Sequence, residues 1–166
     1  MLLINPFKAL RPIKKLARKI STPNPKYFNS LKLYQKFGYL KILTSKNLIQ
    51  SKTYFKNMKN KKLITKEIKD CYYIYKISNK NHQQIGIMGK VDLNKYDNKS
   101  ILGHEETFKN RVSERKRQIL NISTQIGPIY TAYKYNKYLQ NFLTKITKLK
   151  PIYSFRSLDK FNHQVW

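Results

Sequence analysis

The 166-residue chain carries 35 Lys and Arg against 8 Asp and Glu, which gives a formal net charge of +27. A hydrophobic content of 40% is enough to form the core of one domain, and an aromatic content of 13% argues against a disordered chain. A single Cys excludes an intramolecular disulfide scaffold, and no apolar run approaches the length of a membrane span. We therefore expect one cytoplasmic domain covering residues 1–166, with no membrane association.

The first third of the chain is predicted to hold an extended entry followed by short helices. Apolar side chains recur at helical spacing in residues 13–20, and two prolines follow that segment. The predicted elements are an extended segment at 3–10, helices at 13–20, 31–37 and 51–58, and a strand at 39–43.

The middle of the chain predicts an antiparallel hairpin. Residues 71–77 are aromatic and β-branched, as in a buried strand, and a polar turn separates them from a second apolar run at 85–93. Gly86 and Gly89 in the second run indicate a bulge or a close backbone approach. With no third glycine and no following helix, they do not form a dinucleotide-binding fingerprint.

The last third is predicted to alternate helices and strands. The pattern favours a helix at 107–123, a strand at 126–133, an amphipathic helix at 135–149 and two strands joined by a turn at 159–160. The fold class is therefore α/β in a mixed, α+β-like form: a small mixed or antiparallel sheet with packed helices. We expect the final strand, 161–166, to pair with an element outside this chain, which would leave its edge and Trp166 uncovered.

Basicity alone is weak support for a function. Lys, Asn, Ile, Tyr and Phe are all encoded by AT-rich codons, so mutational bias in a bacterial genome would produce this composition. A polyanion-binding protein usually concentrates its charge and uses Arg for bidentate phosphate contacts, whereas Lys is spread along this chain. Nucleic-acid binding remains an alternative, nonspecific and salt-dependent, with the tyrosines of residues 72–75 as stacking platforms.

The most informative segment is the acidic one that begins at His104. Glu105, Glu106 and Thr107 precede the predicted helix at 107–123, where carboxylates and a capping hydroxyl are favoured, so a well-capped helix is one interpretation. The functional interpretation is a His-carboxylate pair that orients a substrate or a metal at a helix N-terminus. His82 and His163 lack a second ligand at metal spacing, so no metal site is predicted.

Several motifs resemble, in the same order, those of the domain of unknown function 1015 family. They are I-N-P-F-K-A-L-R-P at 4–12, C-Y-Y-I-Y-K-I at 71–77, I-G-I-M-G-K-V at 85–91, K-Y at 95–96, I-L-G-H-E-E-T at 101–107, E-R at 114–115 and G-P-I-Y at 127–130. The closing S-L-D-K-F-N-H-Q-V-W at 157–166 is similar to the family's D-x-x-G-x-x-H-x-x-W segment without its glycine. The family's C-terminal half carries a D-G-H-H-R motif reminiscent of kinases for free serine, and that motif is absent here.

The resemblance implies an N-terminal half of a larger fold, a truncated or split-gene product that is inactive alone. It implies a separately encoded C-terminal half as partner, and it leaves the cofactor unknown. By the same resemblance His104 and Glu105 would be catalytic, Glu114 and Arg115 would support them, and Arg11 would bind an anion. The remaining motif positions are Thr107, Gly127 and Pro128.

Overall fold

The computed structural model describes residues 4–20, 42, 47–94, 101–102, 107–157 and 160–166, and it shows the expected mixed α/β fold. The strands are β1 (Ile4–Asn5), β2 (Leu10–Pro12), β3 (Ile64–Lys66), β4 (Tyr73–Ser78), β5 (Gln83–Met88), β6 (Lys90–Val91), β7 (Tyr153–Arg156) and β8 (Asn162–Val165). The helices are a 3₁₀ turn (Lys14–Leu16), α1 (Ala17–Ile20), α2 (Leu48–Asn60), α3 (Lys109–Ile122) and α4 (Lys137–Thr147).

The main sheet has four antiparallel strands in the order β5-β4-β8-β7. The predicted hairpin is confirmed as β4 and β5, and the predicted C-terminal strand pair as β7 and β8. The expectation of an uncovered final strand is wrong, because β8 lies between β4 and β7 and is paired on both edges. Trp166 and Ile74 also exchange two backbone hydrogen bonds of 2.9 Å. This pairing joins segments far apart in sequence, so local patterns did not predict it.

The extended N-terminal segment is confirmed, and it pairs with the middle of the chain. β1 pairs with β6, and β2 pairs with β3, both antiparallel. Beside the first pair, a Cβ added at Gly89 would lie 3.0 Å from the carbonyl oxygen of Asn5 and 3.1 Å from Cβ of Ile4. The predicted close backbone approach is therefore correct at Gly89, whereas a Cβ at Gly86 would meet nothing within 4 Å.

Helix α4 covers one side of the main sheet. Its N-cap is Asn136, whose side chain accepts a hydrogen bond from the helix backbone, and it packs against β4 through fully buried Leu143. At its C-terminal end the indole Nε1 of Trp166 donates to the carbonyl oxygen of Leu149 at 2.8 Å. Trp166 faces Ile74 across the strands, so the side that carries Ile74 is the one under α4.

A second apolar cluster lies between α2, α3 and β3, and the predicted helices at 51–58 and 107–123 are confirmed. The cluster comprises Leu16, Ile42, Phe55, Met58, Ile64 and Ile122. Asn47 caps α2 by accepting from two backbone N–H groups, and Asn121 of α3 donates to the carbonyl oxygen of Leu48 at 2.7 Å. These polar contacts fix the start of α2 against the end of α3.

Three sequence predictions fail or lie outside the described residues. Residues 126–133 form no strand, because Ile129 and Tyr130 extend into solvent with no neighbouring strand to pair with among the described segments. Ile42 is helical rather than part of a strand, and the rest of 39–43, together with 31–37, lies outside the described residues.

Within the described ranges no helix is long and apolar enough to span a membrane.

Candidate functional site on the open sheet face

The side of the main sheet opposite α4 carries a set of polar and aromatic side chains, and we call it the open face. Side chains alternate between the two sides of a strand, so the observed register assigns each residue to one side. The open face bears Tyr73, Tyr75, Ile77, Gln84, Gly86, Met88, Tyr153, Phe155, His163 and Val165. Strands β1 and β2 approach its lower half, where Phe7 contacts Tyr73 edge-on at 5.4 Å between ring centroids.

His163 lies at the centre of the upper half and pairs through both ring nitrogens. Nδ1 lies 2.6 Å from the hydroxyl of Tyr75, and Nε2 lies 2.7 Å from Oγ of Ser157. Ser157 Oγ also donates to the carbonyl oxygen of Phe161 at 3.0 Å. Each ring nitrogen of His163 therefore has a hydroxyl partner that can both donate and accept, so the contacts are compatible with either tautomer of the imidazole.

The β7–β8 hairpin holds this group in place. The backbone N–H of Ser157 donates to the carbonyl oxygen of Phe161 at 2.8 Å, and Lys160 turns the chain with a left-handed φ of 67°. The Phe155 ring stacks on His163 with a centroid distance of 5.2 Å and an interplanar angle of 16°. Gly86 lies directly opposite Tyr75 in the register, so no side chain from β5 covers the Tyr75 position.

The arrangement can carry a proton along its length. Each hydroxyl can donate and accept, and imidazole can hold its proton on either nitrogen, so Ser157, His163 and Tyr75 form a continuous relay. A Cβ placed at Gly86 would meet no described atom within 4 Å, so β5 leaves the ring of Tyr75 uncovered at this position. The chemistry that this geometry supports is acid–base exchange with a hydroxyl or amino group of a small ligand.

The lower half of the open face is closed by Arg11. Its Nη1 donates to the hydroxyl of Tyr153 at 2.8 Å, its Nη2 forms an ion pair with Glu67, and the Tyr153 hydroxyl donates to the carbonyl oxygen of Pro12. Burial alone would lower the pKa of Arg11, but the contacts with Tyr153 and Glu67 outweigh it and raise that pKa. The predicted anion-binding residue is thus already paired with a carboxylate of its own chain.

Tyr73 is the second titratable group of the lower half. Its hydroxyl is buried close to the backbone of Ala9 without a hydrogen bond of good geometry. Burial raises the pKa of Tyr73 above its usual value, and the neighbouring carboxylate of Glu67 raises it further. The ring is therefore a neutral structural element over the ordinary pH range.

The described residues of the predicted catalytic group, Glu114 and Arg115, do not lie on this face. His104 and Glu105 lie outside the described residues. Glu114 and Arg115 are exposed on α3, where Arg115 donates to Gln118 at 3.4 Å, and no described contact links either of them to Arg11. Their proposed support of a catalytic pair stays a prediction.

The predicted capping role of Thr107 is wrong. The N-cap of α3 is Phe108, which makes no side-chain cap bond, and Thr107 is exposed before it. Gly127 has a left-handed φ of 82°, which only glycine adopts freely, and Pro128 follows it in the exposed segment. Within the described ranges no three His, Cys, Asp or Glu side chains converge as a metal site would require.

Sequence reasoning missed the importance of His163, which looked isolated. Its partner Tyr75 is 88 positions away, and only the pairing of β4 with β8 brings the two together. The available signal was that both residues fall inside family-like motifs, C-Y-Y-I-Y-K-I and S-L-D-K-F-N-H-Q-V-W. Motif order along a chain does not specify which motifs become neighbours.

Comparison with known proteins agrees with those motifs. A family model described as Protein of unknown function (DUF1015) matches residues 4–166. Neither the curated proteins nor the solved structures contain a match. The matched range includes all three members of the relay, Tyr75, Ser157 and His163.

Proposed function

This chain belongs to the DUF1015 family of proteins of unknown function, and on that premise we propose that it is one part of a small-metabolite enzyme that is inactive until a second polypeptide completes its site. The observation that carries the proposal is the hydrogen-bonded relay on the open face, with His163 held at 2.6 Å and 2.7 Å between two hydroxyls. An aromatic floor and free space beside Gly86 accompany it.

The substrate class is a small metabolite with a hydroxyl group, such as free serine. Its hydroxyl would give its proton to Ser157 Oγ while Ser157 gives its own proton to Nε2 of His163, in the tautomer whose Nδ1–H donates to the hydroxyl of Tyr75, so the proton ends on the imidazole. Phosphoryl transfer also needs groups that hold phosphate and metal. The proposal assigns those groups to a separately encoded C-terminal half that carries D-G-H-H-R, a motif absent from these 166 residues.

A cytoplasmic location is part of the proposal. Small phosphorylated metabolites are made where ATP is available, and the lone Cys71 fits a chain that does not depend on disulfide formation. Fractionation of cells that express the tagged protein tests this location.

The test is ATP-dependent formation of phosphoserine by the chain alone and by an equimolar mixture with the D-G-H-H-R-containing polypeptide. We expect no product from the chain alone and turnover from the mixture. His163→Asn should lower turnover of the mixture by about 100-fold or more, because acid–base groups contribute factors of that size. Phosphoserine formation by the chain alone would contradict the requirement for a second polypeptide.

The matched control is His82→Asn. His82 lies exposed in the turn between β4 and β5, and none of the described side-chain contacts joins it to Tyr75, Ser157 or His163, so its replacement should leave turnover unchanged. Thermal melting of both variants separates loss of activity from loss of fold, and Ser157→Ala provides a second relay variant. If the relay variants keep full turnover in the mixture, the open face is not the site.

A further inference from the structure

Exposed tyrosines follow one another in the segment between α3 and α4 and at the start of α4, and we call them the tyrosine strip: Tyr130, Tyr133, Tyr135 and Tyr138. Their side chains are between 54% and 87% exposed. Each exposed ring leaves a large apolar area in contact with water. Several such rings close together in sequence are unusual on a surface that binds no partner. The strip therefore indicates an interaction surface.

The cations around the strip indicate the charge of its partner. Lys134 and Lys137 alternate with the rings, and Lys145 and Lys148 continue the positive charge along α4. The sequence contains no Asp or Glu from residue 115 to residue 158. The surface is thus complementary to a polyanion that also offers flat apolar groups.

The strip is held at both ends. At its start, Gln84 of β5 donates a hydrogen bond to the hydroxyl of Tyr130, and at its end α4 is capped by Asn136 and anchored by buried Leu143. Residues 131–136 have no regular secondary structure, so Tyr133 and Tyr135 lie on a loop that ends at the cap of α4.

We propose that the tyrosine strip binds single-stranded nucleic acid without sequence preference. Bases stack on the exposed rings, and the interleaved lysines neutralise the phosphates, as in other binders of single strands. A protein partner fits less well, because lysine, which is interleaved with these rings, is depleted in protein–protein interfaces. The strip contains no residue of the relay, although Gln84, which donates to Tyr130, lies on the open face.

The experiment is fluorescence anisotropy of labelled dT20 and U20 with the full chain at a series of KCl concentrations starting at about 50 mM. We expect binding to both strands and an affinity that falls steeply with salt. Each neutralised phosphate of a single strand contributes about −0.7 to the slope of log K against log salt. K134Q/K137Q should therefore reduce the magnitude of the slope by about 1.4.

Matched variants separate stacking and local charge from overall basicity. K52Q/K56Q removes the same charge from exposed positions of α2 and should leave the slope unchanged. Tyr135→Ala should weaken binding by about fivefold or more, because loss of one stacking ring costs at least that factor. Phe108→Ala is the control, since Phe108 is 77% exposed and Tyr135 is 78% exposed. It should leave the affinity for dT20 unchanged.

Heparin, which carries charge without bases, tests the role of the rings. We expect Y133A/Y135A/Y138A to lose affinity for dT20 while it retains affinity for heparin. If that variant binds dT20 as well as the unaltered chain does, the rings do not stack on bases and the proposal is overturned. If the same substitutions instead abolish a concentration-dependent dimer on size exclusion, the strip is an interface between copies of the chain, which also overturns it.

Discussion

Leu143→Ala should destabilise the protein strongly, because Leu143 is fully buried where α4 packs against β4. Removal of a buried leucine side chain costs about 2–5 kcal/mol, made up of lost transfer free energy and the cavity left behind. In a chain of this size each kcal/mol lowers Tm by about 2–4 °C, so a loss of about 3 kcal/mol lowers Tm by about 6–12 °C. Urea unfolding followed by circular dichroism measures the free energy directly.

Leu149→Ala is the control for that experiment. Leu149 follows the same helix but is 61% exposed, and its contact with Trp166 uses the backbone carbonyl, which the substitution preserves. We expect it to change the free energy of unfolding by less than about 0.5 kcal/mol. If both variants lose the same small amount, α4 is not docked on the sheet and the assignment of the open face to the opposite side fails.

Three further substitutions test the open face and its supports. Glu67→Gln should cost about 1–3 kcal/mol in urea unfolding, because it leaves the half-buried Arg11 without its carboxylate, and Arg11→Met in the same chain should recover part of the loss. Gly89→Ala should lower the free energy of unfolding by about 1–3 kcal/mol, because the added Cβ would force β1 away from β6. Gly86→Ala should leave it nearly unchanged, and equal effects of the two substitutions would contradict the close approach at Gly89. The free energy of unfolding should fall as the pH rises above about 10, because tyrosine in the unfolded chain ionises there, whereas buried Tyr73, whose pKa is raised, stays protonated. The fall should be smaller in Tyr73→Phe, which has no phenol to ionise.

Local sequence patterns predicted those elements that have a clear apolar side of their own. The β4–β5 hairpin and the amphipathic α4 each present one apolar side, so periodicity alone was sufficient. The apolar run at 126–133 has the composition of a strand, but a strand forms only where a neighbour pairs with it, and Ile129 and Tyr130 have none among the described residues. In α4, Tyr138 and Phe142 belong by helical spacing to the apolar side of the helix, yet they are exposed while Leu143 is fully buried.

The candidate site was less predictable than the fold, because it depends on long-range pairing. Arg11 was identified from its motif, yet the motif could not show that Glu67 would neutralise it. His163 was dismissed because no ligand lay at short spacing, whereas its partner Tyr75 comes from a strand 88 positions away. Hydrogen-bonded groups of this kind are set by strand order, and strand order is decided by the whole core rather than by a local pattern.

The two halves of the open face differ in what they can still bind, and this difference positions the ligand. In the lower half, an incoming anion would have to displace Glu67 from Arg11, and the displaced carboxylate would then lack its partner in a half-buried place. In the upper half a Cβ placed at Gly86 would meet no described atom within 4 Å, and His163 with its two hydroxyl partners lies on the same side of the sheet. Under the proposed function, a neutral hydroxyl group is the part of the metabolite that would lie at the relay, and its charged groups would be recognised elsewhere. The pairing of Arg11 with Glu67 is the physical reason why the proposal places the phosphate-binding and metal-binding groups on the second polypeptide rather than at Arg11.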